Sequence, residues 1–151
     1  MNLLERVKKM RGAEAALGLT FAGANDSVNT LPKGTVLLAY SNKTYFCWFR
    51  HYEETVFAVT EENQKWQIHP IAYNFREFLR LIIACGSAEL CARSVLLTEK
   101  TFLTEQEALR RRINPGLKEI RDTLAIVPIE DPYRYTHTIG QIIDCSRIGR
   151  K

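Results

Sequence analysis

The stretch Lys65–Gly86, KWQIHPIAYNFREFLRLIIACG, has both ends of one helix written into it, and that helix constrains what precedes and follows. Asn74 is a good N-cap, because its side-chain oxygen can accept from an orphan amide of the first turn. Glu77 lies three residues on, where a carboxylate can reach back to the cap amide, so the pair predicts a capping box. Phe75, Phe78, Leu79 and Ile82 recur at helical spacing as an apolar stripe, leaving Arg76, Glu77 and Arg80 on the wet side. Gly86 supplies the left-handed residue that ends helices. The pattern predicts a helix over Phe75–Cys85, an anchor without chemistry of its own.

What leads into it changes period. From Thr35 the runs TVLLAY, TYFCWFR, TVFAVT and KWQIH are rich in β-branched and aromatic residues, separated by the polar links SNK, HYEE and EENQ. Short strands at a spacing of roughly ten residues, with polar links, predict an antiparallel meander. In TYFCWFR, Tyr45, Cys47 and Phe49 fall on one face and Phe46, Trp48 and Arg50 on the other. Both faces are largely apolar, which suits a central strand covered by helices on one side and partly covered on the other. Strands first and helices afterwards make the class α+β. We read residues 1–151 as a single domain, an antiparallel meander of about four to six strands packed against several helices. Residues 104–148 form a helical C-terminal extension packed on it.

The remaining segments are less sharply written. Leu3, Leu4, Val7 and Met10 predict a short amphipathic helix over Asn2–Met10 that docks on the domain rather than on a membrane. A strand is expected around Leu17–Phe21. Gly23, Asn25, Asp26, Ser27 and Asn29 make a turn-rich stretch. Ala88–Leu97 suits either a strand or a short helix. Thr104 with Glu107 forms a second capping box, starting a helix that runs to about Ile113. Asn114 and Asp131 each cap a helix whose first residue is proline (Pro115, Pro132), where the missing amide costs nothing. Leu117, Ile120 and Leu124 face inward on the first of these, and Tyr135, Ile139, Ile142 and Ile143 on the second. Ala125–Ile129 is a link or short strand.

A chain of 151 residues can bury a core without a disulfide or metal staple. Cys47, Cys85, Cys91 and Cys145 show no CxxC pair and fit no zinc template, so reduced thiols in a cytoplasmic protein are expected. No segment approaches the ~18 consecutive apolar residues of a membrane span, and no membrane association is expected. Twenty-one Lys+Arg against 17 Asp+Glu give a net charge of +4, which a solvated surface explains and which makes a nucleic-acid partner unfavoured.

Each cluster with chemical potential has a plainer reading beside it. His51, Glu53 and Glu54 suit a divalent metal, and equally a solvated hairpin tip. His69 precedes Pro70 at a strand end and lacks the visible partner that a general base needs. Asp131 and His137 are six apart on different faces of one helix, and Asp131 is already used as a cap. Arg110, Arg111 and Arg112, as consecutive helical residues, would point about 100° apart from one another and form no single patch, which suits a solvated helix end. Tyr45, Phe46, Trp48 and Trp66 suit either a packed core or a face on which bases stack. Among enzyme signatures there is no GxxxxGK[ST], GxGxxG, GxSxG or HExxH. No catalytic residue, cofactor or metal is expected.

With strands and anchor helix placed, TVFAVTEENQKWQIHPIAYNFREFLRLI resembles the central unit of the SUKH superfamily. That superfamily includes the fungal cell-wall assembly (glucan synthesis) regulators and many bacterial proteins. Its helix has the form (S/N)FxEFLxxL, and residues 74–81 here are Asn-Phe-Arg-Glu-Phe-Leu-Arg-Leu. The tail resembles one bacterial subgroup, through Ala-Cys-Gly-Ser-Ala at 84–88, Leu-Lys-Glu-Ile-Arg at 117–121 and Pro-Ile-Glu-Asp-Pro-Tyr-Arg-Tyr at 128–135. The match runs over about Thr35–Ile148. The chain departs from it earlier, where Leu31-Pro32 leads through Lys33-Gly34 straight into a strand. The resemblance implies an α+β fold and a non-enzymatic, protein-binding role. Many bacterial members resemble immunity proteins that neutralise a toxin, and the fungal members imply regulation of cell-wall synthesis. The expected binding surface is the outer face or edge of the meander, with Tyr45, Trp48, Arg50, His51 and Tyr52 as its residues, since aromatics and arginine dominate interface energetics. An enzyme with a dispersed site (His51, Glu53, His69, Asp131) and a weak nucleic-acid binder remain the alternatives.

Overall fold

The computed structural model describes residues 2–23, 31–145 and 148, so the expected turn at Asn25, Asp26, Ser27 and Asn29 lies outside the described residues. Five strands form one antiparallel sheet in sequence order: β1 (Thr20–Phe21), β2 (Thr35–Ser41), β3 (Thr44–Phe49), β4 (Val56–Glu62) and β5 (Lys65–Ala72). Hairpin turns set the registers. Between Glu62 and its partner Lys65, Asn63 and Gln64 both take positive φ, the backbone that two-residue hairpins with the native strand twist require. Pro70 is tolerated because β5 is an edge strand.

Two irregularities deepen the core. The β2–β3 register shifts between Leu37 and Ala39, and the β4–β5 register shifts between Val56 and Phe57. An extra residue in one strand breaks strict alternation. Leu38 and Ala39 therefore both enter the helix-side core, as do Ile71 and Ala72.

The helices are α1 (Leu3–Lys9), α2 (Ala13–Leu17), α3 (Phe75–Cys85), α4 (Ala88–Arg93), α5 (Glu99–Arg110), α6 (Pro115–Thr123) and α7 (Pro132–Ile142), with a 3-10 turn at Ser94–Leu96. The result is a single-domain α+β fold. The anchor helix α3 has the predicted bounds, and its Phe78 ring lies 5.0 Å from Phe46 of the central strand. Asn74 Oδ1 accepts from the Glu77 amide at 2.8 Å, but the capping box is only half formed, because Glu77 Oε2 accepts from Arg80 at 2.6 Å instead. At the other end Gly86 donates to the Ile82 carbonyl, and Gln106 Nε2 of α5 donates to the Ala84 carbonyl at 2.9 Å. Orphan carbonyls of the last turn thus find partners, one of them on a neighbouring helix.

Several expectations need correction. Residues 13–17 form α2, and only Thr20 and Phe21 of the expected Leu17–Phe21 strand are extended. Ala88–Leu97, open between strand and short helix, resolves to the helix Ala88–Arg93 capped by Ser87, followed by the 3-10 turn. Helix α5 begins five residues before the expected Thr104 cap. Thr98 Oγ1 accepts from the Thr101 amide, while Thr104 lies inside the helix and donates to the Lys100 carbonyl, the back-bond open to a mid-helix threonine. On α7 Ile139 is buried and Tyr135 packs on the larger core, as expected, with Pro132 and Thr136 beside them, whereas Ile142 is 63% exposed. Ile143 leaves the helix in extended backbone and packs on the opposite side of the sheet.

Both faces of the sheet are thereby covered. The larger core lies on the helix side and includes Phe46, Phe78, Leu79, Ile82 and Ile120. A smaller one, Cys47, Phe49, Phe57 and Val59, lies on the other side under Leu31, Ile143, Cys145 and Ile148. Leu3, Leu4 and Met10 of the amino-terminal segment pack on the larger core, around a fully buried Val7. Among the described residues no helix is long and apolar enough to cross a membrane.

Candidate functional site

Where β2 begins and β3 ends, against the start of α3, a cleft of about 450 Å3 opens to solvent. Sheet register builds it. Val36 and Trp48 are directly opposed across β2 and β3, so their side chains share one face. Phe75, the first residue of α3, adds a third apolar wall. Val36 is 56% exposed, and Trp48 and Phe75 are half-buried. Arg50, Glu53 and Glu54 line the same cleft from the loop after β3. That loop turns sharply, with His51 and Glu53 both at positive φ, and Arg50 is tied to the turn before β2 through its amide to the Gly34 carbonyl. An apolar pocket edged by one cation and two carboxylates is the general anatomy of a recognition patch.

The expected binding residues divide. Trp48 and Arg50 line the cleft, and His51 is exposed on the loop beside it. Tyr45 lies on the other face of the sheet, edge-to-face with Trp66 at 6.2 Å. Tyr52 also packs there, against Phe57, and donates to the Asp144 carbonyl at 2.7 Å, tying the loop to the chain's end. The four-aromatic face does not exist as one surface, because alternation sends Phe46 and Trp48 to the helix side and Tyr45 to the other. Sequence reading missed Val36 and Phe75 as partners of Trp48. Phe75 was visible only as a helix-stripe residue, and the Val36 pairing depends on a register that no local pattern states.

The titratable candidates stay apart. Among the described residues no group of three or more His, Cys, Asp or Glu is placed to hold a metal ion. His69 is half-buried, its Nε2 has no hydrogen-bond partner among the described residues, and burial holds its pKa below the ordinary value of 6.5. Asp131 accepts from the Arg134 amide as the cap of α7. His137 instead stacks on Tyr133 and sits 3.3 Å from the Ser94 carbonyl. Burial pushes the Cys47 thiol up to about 12 and raises Cys91 and Cys145 as well, the reverse of an activated nucleophile. The arginine run is the exposed end of a helix, as expected: α5 ends at Arg110, and Arg111 caps it, donating its amide to the Glu107 carbonyl. Arg111 pairs with Glu107 at 3.5 Å, and Arg110 and Arg112 line one groove together. No family model, curated protein or solved structure matches the chain.

Proposed function

We propose that this chain is a non-catalytic protein-binding module of the SUKH type, working in the cytoplasm as an immunity protein that binds and neutralises a toxin. A regulator of cell-wall synthesis would use the same mode of action on a different protein. One observation carries the reading: the solvent-open cleft of Val36, Trp48 and Phe75 with its charged edge of Arg50, Glu53 and Glu54. Such a cleft receives an apolar anchor residue of a partner, while the edge charges set orientation and association rate. The thiols offer no activated nucleophile and the histidines no paired base, which supports binding over catalysis.

The test uses the full chain as bait against secreted toxin-like proteins of its source cell. The wild type should retain one stoichiometric partner. Arg50→Glu and Glu54→Lys, both at exposed positions, should weaken retention while melting as the wild type does, and Trp48→Ala should weaken it further. Retention of the same partner at full strength by all three variants would show the cleft is not the interface. An empty bead from folded bait would remove the reading.

A further inference from the structure

A second concavity, of about 600 Å3, lies between α2, the end of α5 and the start of α6. Its apolar lining includes Ala15, Ala16, Ile83, Leu109 and Leu117. Arg110, Arg112, Lys118 and Arg121 also line it, and no acidic residue does. Arg110, Arg112 and Lys118 make no ion pair among the described residues, and Arg121 has only its exposed neighbour Asp122. A cleft lined by one sign of charge over low-dielectric walls focuses its field and concentrates counter-ions.

We propose that this groove binds a phosphate ester, a small molecule with at least two negative charges on a compact apolar body. Three of the four cations are arginines, whose planar forks match phosphate oxygens in pairs. The apolar lining gives the body of the ester somewhere to lie. The shape is concave and sized for a small ligand, whereas a membrane surface requires a broad amphipathic face. No Phe, Tyr or Trp lines the groove, so the stacking platform of a single-stranded nucleic-acid site is missing. The Gly116–Ala16 approach, where an added Cβ would come within 2.8 Å, holds α6 against α2 and fixes the spacing of the walls. The proposal is independent of the protein-binding reading, which concerns the cleft at Trp48.

Calorimetric titration of the full chain tests it, with inorganic pyrophosphate, ADP and a short-chain alkyl diphosphate as probes and adenosine as the uncharged control. Saturable binding of pyrophosphate, tighter binding of at least one ester, weakening between about 50 and 200 mM salt, and no binding of adenosine are expected. The tighter ester shows whether a flat or an aliphatic body fills the groove. Arg112→Gln and Arg121→Gln should each weaken binding on the order of tenfold, while Arg134→Gln, on α7, leaves it unchanged. Circular dichroism confirms that each variant is folded. Absence of binding by all three phosphorylated probes up to about 5 mM at low salt, or equal binding by folded Arg112→Gln and Arg121→Gln, would overturn the proposal. Esters no tighter than pyrophosphate would remove the apolar subsite. An oligonucleotide that binds more tightly than every small probe and competes with them would reassign the groove to a polynucleotide.

Discussion

Substituting Gly86 separates two physical costs that the structure assigns to different glycines. Gly86 ends α3 at φ 101°, and a Cβ there would come within 2.8 Å of Leu109 Cβ on α5. Gly12 has φ 77° with nothing within 4 Å of the added atom, so it carries the backbone cost alone. Gly116 has ordinary backbone but a 2.8 Å approach to Ala16, so it carries the steric cost alone. An L-residue in the left-handed region costs about 1–2 kcal/mol. Forcing a methyl into a packed contact between two Cβ atoms costs about 1–3 kcal/mol. Gly12→Ala should therefore lose about 1–2 kcal/mol, and Gly116→Ala about the same after helix propensity returns part of its cost. Gly86→Ala should lose about 2–5 kcal/mol, a large share of the ~5–15 kcal/mol that holds a domain together. At about 2–4 °C per kcal/mol for this chain length, its melting point should fall by roughly 10 °C. Urea and thermal unfolding of the three variants measure this, and Leu109→Gly, which removes the Cβ that the new methyl meets, should in the Gly86→Ala background recover the steric part as a favourable coupling energy. If Gly86→Ala loses no more than Gly12→Ala, or if the Leu109→Gly cycle shows no coupling, then α3 and α5 do not approach this closely at Gly86.

Other perturbations probe the buried polar groups. The lowered pKa of His69 means that the unfolded chain takes up the proton first, so stability should fall as pH drops below 6.5 and go on falling until the depressed native value is passed. Urea midpoints from about pH 7.5 to 5.5 should slope more steeply for the wild type than for His69→Gln, and equal slopes would contradict a buried neutral imidazole. Ser94 and Thr136 share a fully buried hydroxyl bond of 2.7 Å. Thr136→Val should cost about 1–3 kcal/mol by stranding Ser94, and adding Ser94→Ala should return part of that loss. Gln106→Leu should cost a similar amount by removing the donor to the Ala84 carbonyl, read as a lowered urea midpoint. In a timed alkylation near neutral pH, Cys145, the only half-buried cysteine, should react before Cys47, Cys85 and Cys91, and prior labelling of Cys47 would contradict its burial.

Local chemistry made much of this fold legible. The bounds of α3 follow from Asn74 and Gly86, and those of α6 and α7 begin where Asn114-Pro115 and Asp131-Pro132 place them. Caps and hairpin turns act over three or four residues, so the sequence states them directly. The α+β class follows from the change of period at Asn74. Errors arose where two local signals competed. Thr98 and Thr104 can both cap, and only the burial of Phe102 and Gln106 selects the earlier start. Ser87–Leu97 has no strong period, and its helix is chosen by packing under α3 and α5.

Sites were less legible, because they are made by register and by chain crossings. Trp48 meets Val36 through a pairing fixed after a bulge, and meets Phe75 only when α3 folds back over the sheet. Arg110 and Arg112 meet Lys118 and Arg121 because α5 stops and α6 turns back across α2. Sequence alone therefore determined the meander strands, the bounds of α3, the starts of α6 and α7 and the two apolar faces of the central strand, since each depends on neighbours within one turn or one hairpin. Tertiary structure alone decided which side chains share a surface, because that depends on a one-residue bulge and on which helix crosses which, and neither leaves a trace in local spacing.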